Sequence, residues 1–393
     1  MPNKYFKMTK TYTTTHTNTF TTSPEIKLSY VKGLREIVLS EISQYKSLDI
    51  LREEDESLYL CFDDEAMKLV KNLKSVSRAY IAIQSIDYSP LYISNHKSII
   101  KNLIEIVLKN AEDLQDRPLH HDIIHHDIAR HDISRHAVSQ DKFKIFKISC
   151  AGNDSPEVRE IANYIVENFK LKESKEASES DLKIQIIKPH NVWEINIQIT
   201  RRPLSVRNYK IENMSGAMDV TVAFALNYLC DLESAKTYLN IFSGSGTLLI
   251  EAGLNYKNLE KIIGFDNDKK HLSLSVQNIK NADLMSVVNI KEFDIFDNPD
   301  LGKFDVITSD LPFGMIISKG EDLNVLYRKF VKYCKSILNE HGRIACYTSE
   351  YELLENIVNE DSSDLKITKE LLIEIPTNAD AILKTKILIL RRL

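Results

Sequence analysis

The strongest constraint on the fold is a regular alternation of strand and helix patterns through residues 216–393. Apolar runs of strand length recur there, and amphipathic stretches of helix length separate the first five. The predicted strands are Thr237–Phe242, Lys261–Phe265, Val287–Phe293, Phe304–Ser309, Arg343–Thr348, Leu371–Ile375 and Ile382–Leu390. This order predicts a doubly wound α/β sheet. The link between the last two strands is too short for a crossover helix, so we expect an antiparallel hairpin at one edge.

Two smaller α+β units are predicted ahead of this sheet. Residues 26–95 carry a strand–helix–strand–helix–strand pattern of ferredoxin-like type. Residues 96–200 carry a second α+β pattern, which His-Asp-Ile triplets interrupt at about residues 115–140. His and Asp can bind zinc, nickel or cobalt, but a repeat of five places the triplets on no common face of a helix or strand. We therefore predict a low-complexity insertion, with metal binding by residues 120–136 as the open alternative.

Residues 1–25 are predicted to form a disordered tail. Nine of residues 9–22 are threonine and almost none is aliphatic, so the segment cannot bury enough surface to fold. The tail is also basic and contains no acid before Glu25, which fits an organelle transit peptide. That alternative stays open.

Composition excludes several classes of protein. The chain has 51 Lys+Arg against 56 Asp+Glu and a formal charge of −5, so it is not a uniformly basic nucleic-acid binder. No apolar run approaches ~18 residues, so no membrane span is predicted. The five cysteines are odd in number and show no CxxC spacing. This pattern argues against a disulfide framework or a cysteine metal site and favours a reducing, cytoplasmic location.

The first strand of the C-terminal sheet ends in a loop, residues 240–247, that contains Gly244 and Gly246. Two glycines at this spacing allow a tight turn and close approach to a ligand, and a helix N-terminus follows. The next strand ends at Asp266, where an acid is placed to accept both hydroxyls of a ribose. Leu249 replaces the third glycine of a dinucleotide-binding loop. The pattern favours a cofactor with a ribose and no pyrophosphate, such as S-adenosylmethionine (SAM).

Asp294 and Ile295 follow the third strand. The carboxylate of Asp294 is placed to accept the amino group of an adenine, and Ile295 to cover the adenine ring. Asp294 as an ordinary turn residue is the alternative.

The fourth strand ends in the most specific motif of the chain, Asp310-Leu311-Pro312-Phe313-Gly314. An exocyclic amine of a nucleobase is a poor nucleophile because its lone pair is delocalised into the ring. The Asp310 carboxylate and the Leu311 carbonyl would hold the amine hydrogens out of the ring plane. Pro312 would fix the loop, and Phe313 would stack on an extruded base. A simple turn with a buried Phe is disfavoured by the motif's place beside the cofactor cleft.

Residues 201–210 contain four cations, Arg201, Arg202, Arg207 and Lys210, and no acid. Composition alone allows an exposed linker or a segment that follows a phosphate backbone.

Taken in order, these motifs resemble class I SAM-dependent methyltransferases that act on amino groups; the matching residues are Gly216–Asp219, Asn240–Thr247, Asp266 and Asp310–Gly314. More narrowly, residues 26–393 resemble the THUMP-domain RNA guanine-N2 methyltransferases. The resemblance implies a ferredoxin-like domain at 26–95, a THUMP domain at 96–200, a basic linker at 201–215 and a methyltransferase domain at 216–393. It also implies SAM as cofactor, structured RNA, usually tRNA, as substrate, and RNA contact by the linker.

The residue patterns and the resemblance together give a candidate site. Cofactor binding is expected of Ser215, Gly216, Asp219, Asn240, Phe242, Gly244, Gly246, Thr247, Asp266, Asp294 and Ile295. Catalysis is expected of Asp310, Leu311, Pro312 and Phe313, and RNA contact of Arg201, Arg202, Arg207 and Lys210. Asn240 departs from the Asp that is common in the family; its amide oxygen can accept a hydrogen bond but carries no charge. Leu311 stands where many amino-methyltransferases have Pro.

We therefore expect methylation of guanine N2 in tRNA, without an obligatory protein partner. The open alternatives are the same reaction on ribosomal RNA and a non-catalytic RNA-binding protein, which only Asn240 favours. A DNA adenine-N6 or cytosine-N4 enzyme would leave residues 26–200 unexplained. Residues 1–210 carry 31 cations and 29 anions, whereas residues 211–393 carry 20 cations and 27 anions. The first part is the more positive of the two, which agrees with RNA contact by that part.

Overall fold

A computed structural model describes residues 23–85, 93–109, 143–150, 156–188, 193–211, 216–313, 322–360, 365–377 and 381–392. The tail before residue 23, the His-Asp-Ile segment, Ser215 and Gly314 lie outside these ranges. The strands are β1 Glu25–Ser29, β2 Ile50–Glu54, β3 Ser57–Cys61, β4 Arg78–Ser85, β5 Ile145–Cys150, β6 Lys172–Glu173, β7 Leu182–Ile187, β8 Trp193–Gln198, β9 Thr237–Ile241, β10 Lys261–Asp266, β11 Val288–Glu292, β12 Phe304–Asp310, β13 Leu338–Thr348, β14 Leu365–Pro376 and β15 Ile382–Arg392. The helices are α1 Arg35–Ile42, α2 Asp64–Leu69, α3 Ile93–Lys109, α4 Pro156–Phe169, α5 Val220–Leu229, α6 Thr247–Asn255, α7 Lys269–Asn281, α8 Leu323–Ile337 and α9 Tyr351–Glu360.

The N-terminal half forms one eight-stranded sheet in the order β2-β3-β1-β4-β8-β7-β5-β6. The two units expected from the sequence share this sheet because β4 pairs with β8 in antiparallel register. A buried ion pair crosses the same joint: Lys27 Nζ lies 2.5 Å from Glu194 Oε1, and the Tyr59 hydroxyl donates to Glu194 Oε2 at 2.7 Å. Burial alone would raise the pKa of Glu194, but Lys27 and the neighbouring donors hold it below its usual value.

The C-terminal half forms a seven-stranded sheet in the order β11-β10-β9-β12-β13-β15-β14. The first five strands in sequence are parallel, and β14 and β15 form the expected antiparallel hairpin at one edge. The doubly wound α/β sheet is therefore confirmed. The strand order reverses between β9 and β12, and ligands of such sheets bind where the carboxyl ends of the strands meet this switch point.

The two halves dock directly on each other at the turn before α1. Lys32 and Glu374 form an antiparallel bridge, with the Glu374 N–H donating to the Lys32 carbonyl at 3.1 Å. Gly33 follows with φ +105°, and a Cβ there would lie 2.0 Å from the Leu372 carbonyl oxygen. Only glycine allows this approach, so the N-terminal sheet is held against the β14 edge of the C-terminal sheet.

Within the described ranges no helix is long and apolar enough to cross a membrane. The same residues contain no cluster of three or more His, Cys, Asp or Glu side chains that could bind a metal ion. No disulfide joins the five cysteines, all of which the structure describes.

Candidate active site

The loop between β9 and α6 is built from residues in unusual backbone conformations. Phe242, Gly244 and Gly246 all have positive φ, at 57°, 52° and 82°. Phe242 is held there while its ring stacks on Phe330, with ring centroids 6.3 Å apart. A Cβ on residue 246 would lie 2.5 Å from Ser275 Oγ, so no larger residue fits without a shift. Gly246 therefore lets the loop pack closely on Ser275 of α7, while its neighbours Gly244, Ser245 and Thr247 line the cleft.

The third glycine missing from the loop is replaced elsewhere. Leu249 lies on α6 and packs against Gly264 of β10, where a Cβ would lie 2.4 Å from Leu249 Cδ1. Close packing of α6 on β10 is thus permitted by a glycine on the strand, Gly264, and not by one on the helix. A lone glycine inside a strand pattern was the available sequence signal, and the sequence reasoning missed it.

Asp266, at the end of β10, is held by backbone amides on both carboxylate oxygens. The Gly244 N–H donates to Oδ2 at 2.8 Å, and the Asp268 N–H donates to Oδ1 at 3.0 Å. His271 Nδ1 lies 3.6 Å from Oδ1. Each carboxylate oxygen still has lone-pair capacity, so the site remains able to accept two hydroxyls.

Asp294 and Ile295 differ in their surroundings. Asp294 accepts hydrogen bonds from the Phe296 N–H at 2.8 Å and from Asn267 Nδ2 at 3.1 Å. Ile295 is 2% exposed and lies in the hydrophobic core, whereas the neighbouring Phe296 is 48% exposed. The apolar surface that is open to a ring beside Asp294 is therefore that of Phe296, and the expected cover by Ile295 stays a prediction.

Asn240 is buried at the floor of the cleft. Its amide Nδ2 donates to the Thr308 carbonyl at 3.1 Å and lies 3.3 Å from Thr308 Oγ1. Its Oδ1 is buried and accepts no hydrogen bond within the part of the chain that the structure describes. A buried acceptor with no partner indicates a donor that none of the described residues supplies.

Residues 216–219 form another wall of this cleft. Gly216 has φ +78°, and Asp219 caps α5 by accepting from the Thr221 N–H at 2.7 Å. The residues that line the cleft include Gly216, Met218, Asn240, Gly244, Thr247 and Asp310. Five of the eleven expected cofactor residues, Gly216, Asn240, Phe242, Gly244 and Thr247, thus line one cleft together with Asp310. The lining does not include Asp219, Gly246, Asp266, Asp294 or Ile295.

Asp310 ends β12 and lines this cleft. Desolvation raises the pKa of Asp310 from 3.8 to about 7. The next three residues are fixed by neighbours: the Leu311 N–H donates to the Tyr347 carbonyl at 3.0 Å, and the Tyr327 hydroxyl donates to the Pro312 carbonyl at 2.9 Å. No described residue donates to the Leu311 carbonyl.

The Phe313 ring is half-buried and meets Tyr347 edge-on, with centroids 6.2 Å apart and planes at 77°. The fixing residues Tyr327 and Tyr347 carried no sequence signal because they lie on α8 and β13, outside the motif.

The four cations of residues 201–210 have different surroundings. Arg201 is exposed and pairs with Asp181, whose Oδ1 accepts from Arg201 Nε at 3.1 Å, and Arg202 is also exposed. Arg207 instead faces inward, with Nε 3.1 Å from Glu251 Oε1. Lys210 Nζ donates to the Met218 carbonyl at 3.3 Å. Arg202 is thus open to an external anion, and Arg201 is exposed but already paired with Asp181. Arg207 and Lys210 are engaged within the protein.

Most of the C-terminal half matches a known protein family. Residues 207–378 match the model of the UPF0020 family, described as RMKL-like, methyltransferase domain. This part of the chain is therefore similar to a methyltransferase domain, and its parallel sheet and glycine loop agree with that similarity.

The curated relatives are more specific. The chain is 23% identical over 200 residues to the tRNA (guanine(6)-N2)-methyltransferase of Methanocaldococcus jannaschii, covering 42% of this chain and 52% of the relative. It is 30% identical over 161 residues to the protein of the same name from Thermus thermophilus, covering 41% of this chain and 48% of the relative. The chain therefore spans about half the length of the curated relatives it matches.

Solved structures extend the likeness of fold to both halves. The crystal structure of TrmN from Thermus thermophilus matches with a TM-score of 0.66 and 17% identity, over 94% of this chain and 100% of that one. The structure of SMU.472 complexed with SAH matches with a TM-score of 0.64 and 15% identity, over 95% and 99%. The N-terminal sheet is thus part of the shared fold; its assignment as a THUMP domain stays a prediction.

Proposed function

We propose that this protein transfers a methyl group from SAM to the exocyclic N2 of a guanine in tRNA. The observation that carries the proposal is the position of Asp310, which ends β12 in the same cleft as the Gly244–Gly246 loop. The names of the curated relatives support guanine N2 and tRNA. Because the chain matches only about half of each relative, both points require a direct test.

The residues of the cleft fit SAM. The buried Asn240 Oδ1 has no donor of its own and suits the amino group of the methionine part. Asp266, fixed by the Gly244 and Asp268 amides, is placed for the ribose hydroxyls. Bound there, SAM would supply an electrophilic methyl group on its sulfonium. The protein's own contribution is to bind and orient, which requires no metal.

Asp310 and Leu311 would activate the amine. Two acceptors that receive the two hydrogens of a guanine amino group hold the nitrogen lone pair away from the ring. The Leu311 carbonyl is suited to this role because no described residue donates to it, and the bonds to Leu311 N–H and the Pro312 carbonyl fix its direction. Phe313, braced edge-on by Tyr347, offers a face for the base.

The N-terminal sheet would hold the RNA. We propose that residues 96–200 are a THUMP domain and that Arg201 and Arg202, both exposed, contact phosphates. Cytoplasmic location follows from this proposal, since tRNA is modified there, and the absence of disulfides among the five cysteines is consistent with it.

The experiment is an incubation of radiolabelled SAM with total tRNA or ribosomal RNA, comparing wild type with Asp310→Ala, followed by nucleoside analysis. We expect label in N2-methylguanosine of tRNA, lost with Asp310→Ala by about 10²-fold or more. Label in N6-methyladenosine would contradict the guanine assignment, and label only in ribosomal RNA would contradict the tRNA assignment. If the protein binds SAM but neither RNA becomes labelled, the non-catalytic alternative replaces the enzyme proposal for these RNAs. A reduction under about threefold for Asp310→Ala would exclude Asp310 as the amine acceptor.

A further inference from the structure

Residues 204–211, here called the strap, join the N-terminal sheet to the methyltransferase domain and contact the cofactor cleft from behind. The first contact is to α6, the helix that begins at the end of the glycine loop. Glu251 of α6 is 1% exposed and accepts from Arg207 Nε at 3.1 Å and from the Tyr209 hydroxyl at 2.9 Å. Tyr209 is equally buried, at 1% exposed. A buried carboxylate held by two donors fixes the helix to the strap.

Two further contacts reach residues that line the cleft. Lys210 Nζ donates to the carbonyl of Met218 at 3.3 Å. The Ile211 N–H donates to Asn278 Oδ1 at 3.1 Å, and Asn278 Nδ2 in turn donates to the Ser245 carbonyl at 3.0 Å. The strap is therefore one hydrogen-bonded residue away from the glycine loop itself.

The other side of Arg207 is bound to the N-terminal half. Its Nη2 donates to the Lys74 carbonyl at 3.1 Å, and its Nη1 donates to the Leu204 carbonyl. The Lys74 and Ser75 amides are in turn bound by Glu41 of α1, at 2.6 and 2.9 Å. Hydrogen bonds thus run without a break from α1 through Arg207 to α6.

This arrangement engages every nitrogen of the Arg207 guanidinium, so few of its five N–H groups remain for a phosphate. All three of its nitrogens already donate to protein acceptors, and its side chain is 14% exposed. The fork of a guanidinium is suited to binding several acceptors in a fixed geometry, which a lysine ammonium at this place would not reproduce.

We propose that Arg207 and Glu251 are positioning residues, and that the strap transmits the placement of the N-terminal half to the glycine loop. The inference rests on the proposed function in that the cleft binds SAM. Arg207 acts through α6 and touches neither the cofactor nor the RNA.

The test measures the Kd of the full-length chain for SAH, without RNA, by calorimetry. Loss of a charge-assisted hydrogen bond to a buried carboxylate is expected to raise the Kd about tenfold in Arg207→Ala, and loss of one neutral donor about threefold in Tyr209→Phe. Arg159→Ala is the matched control: it removes an arginine from an exposed ion pair with Glu173 and leaves the Kd unchanged. A Kd for Arg207→Ala within twofold of wild type would overturn the proposal.

Steady-state methylation separates positioning from RNA contact. The KM for SAM rises in Arg207→Ala, while the KM for tRNA stays within about twofold, and Arg207→Lys recovers only part of the loss. A rise in the KM for tRNA with an unchanged SAH Kd would instead assign Arg207 to RNA contact.

Thermal unfolding shows whether Arg207→Ala folds; if it does not, Tyr209→Phe, which keeps the ring, decides the question. A wild type that fails to bind SAH would overturn the proposed function along with this one. If the wild type binds SAH and the variants bind it with the same Kd, only the proposed role of the strap is overturned.

Discussion

Replacing Asp310 by asparagine should lower activity and raise stability, and the gain in stability should depend on pH. Burial raises the pKa of Asp310 from 3.8 to about 7, and at 1.36 kcal/mol per unit this shift is worth about 4 kcal/mol. The folded protein binds this proton more tightly than the unfolded chain does. The corresponding stability is fully present below about pH 4 and is lost as the pH rises to about 7. Asparagine does not ionise, so the variant avoids that loss.

The assay compares the apparent Tm of wild type and Asp310→Asn at about pH 5.5 and about pH 8. The difference in stability between variant and wild type should widen by about 2 kcal/mol in favour of the variant at the higher pH. For a chain of this size that corresponds to about 2–3 °C in Tm. Wild-type methylation should rise about tenfold per pH unit below pH 7 and level off above it, because the ionised carboxylate is the better acceptor. An equal Tm gap at both pH values would refute the reasoning that Asp310 is a desolvated carboxylate.

Three further substitutions test the geometry around the cleft and the joint between the halves. Gly246→Ala should abolish measurable SAH binding by calorimetry. Gly302→Ala, which has nearly the same φ but whose added Cβ would meet only Lys261 Nζ at 3.7 Å, should bind normally. Equal affinities would mean that the loop conformation at Gly246 does not shape the cofactor site. Tyr327→Phe removes the hydrogen bond to the Pro312 carbonyl and so frees the loop that follows Asp310; it should lower kcat about tenfold at unchanged SAH affinity. An unchanged kcat would mean that this hydrogen bond does not position the catalytic loop. Gly33→Ala should lower the Tm by several degrees and make the joint between the two halves susceptible to limited proteolysis. Lys32→Ala, which removes a largely exposed ion pair, should change the Tm little. Similar Tm values for the two variants would mean that the docking of the two halves does not depend on Gly33.

Much of the fold could be predicted because its signals are local. The strands of the C-terminal sheet are apolar runs between helical patterns, and the short link between the last two required a hairpin. β2 was missed because Arg52, Glu53 and Glu54 interrupt its apolar pattern at the edge of the sheet. The pairing of β4 with β8 joins segments more than a hundred residues apart, and no local pattern indicates such a partner.

The candidate site divides in the same way. Asp266 and Asp310 could be placed because each ends a parallel strand, and such ends meet at one edge of the sheet. The surroundings of Arg207 could not be predicted because its charge is local but its partner is not: Glu251 lies 44 residues further along the chain. The sequence shows a cation, whereas only the folded chain shows that its charge is already neutralised.

The continuous N-terminal sheet has a consequence for synthesis of the chain. β4 is buried on both faces at Ala79–Ile83, and β1 covers only one of its edges. At about 5–20 residues per second, its second partner β8 leaves the ribosome about 5–20 s after β4 does. During that interval an apolar strand edge is open to any other unpaired strand, including one on a neighbouring nascent chain. The length of chain between the two strands thus sets how long the nascent chain is exposed to aggregation. Shortening only the His-Asp-Ile insertion at about residues 115–140, which leaves β5, β6 and β7 intact, should raise the yield of folded protein.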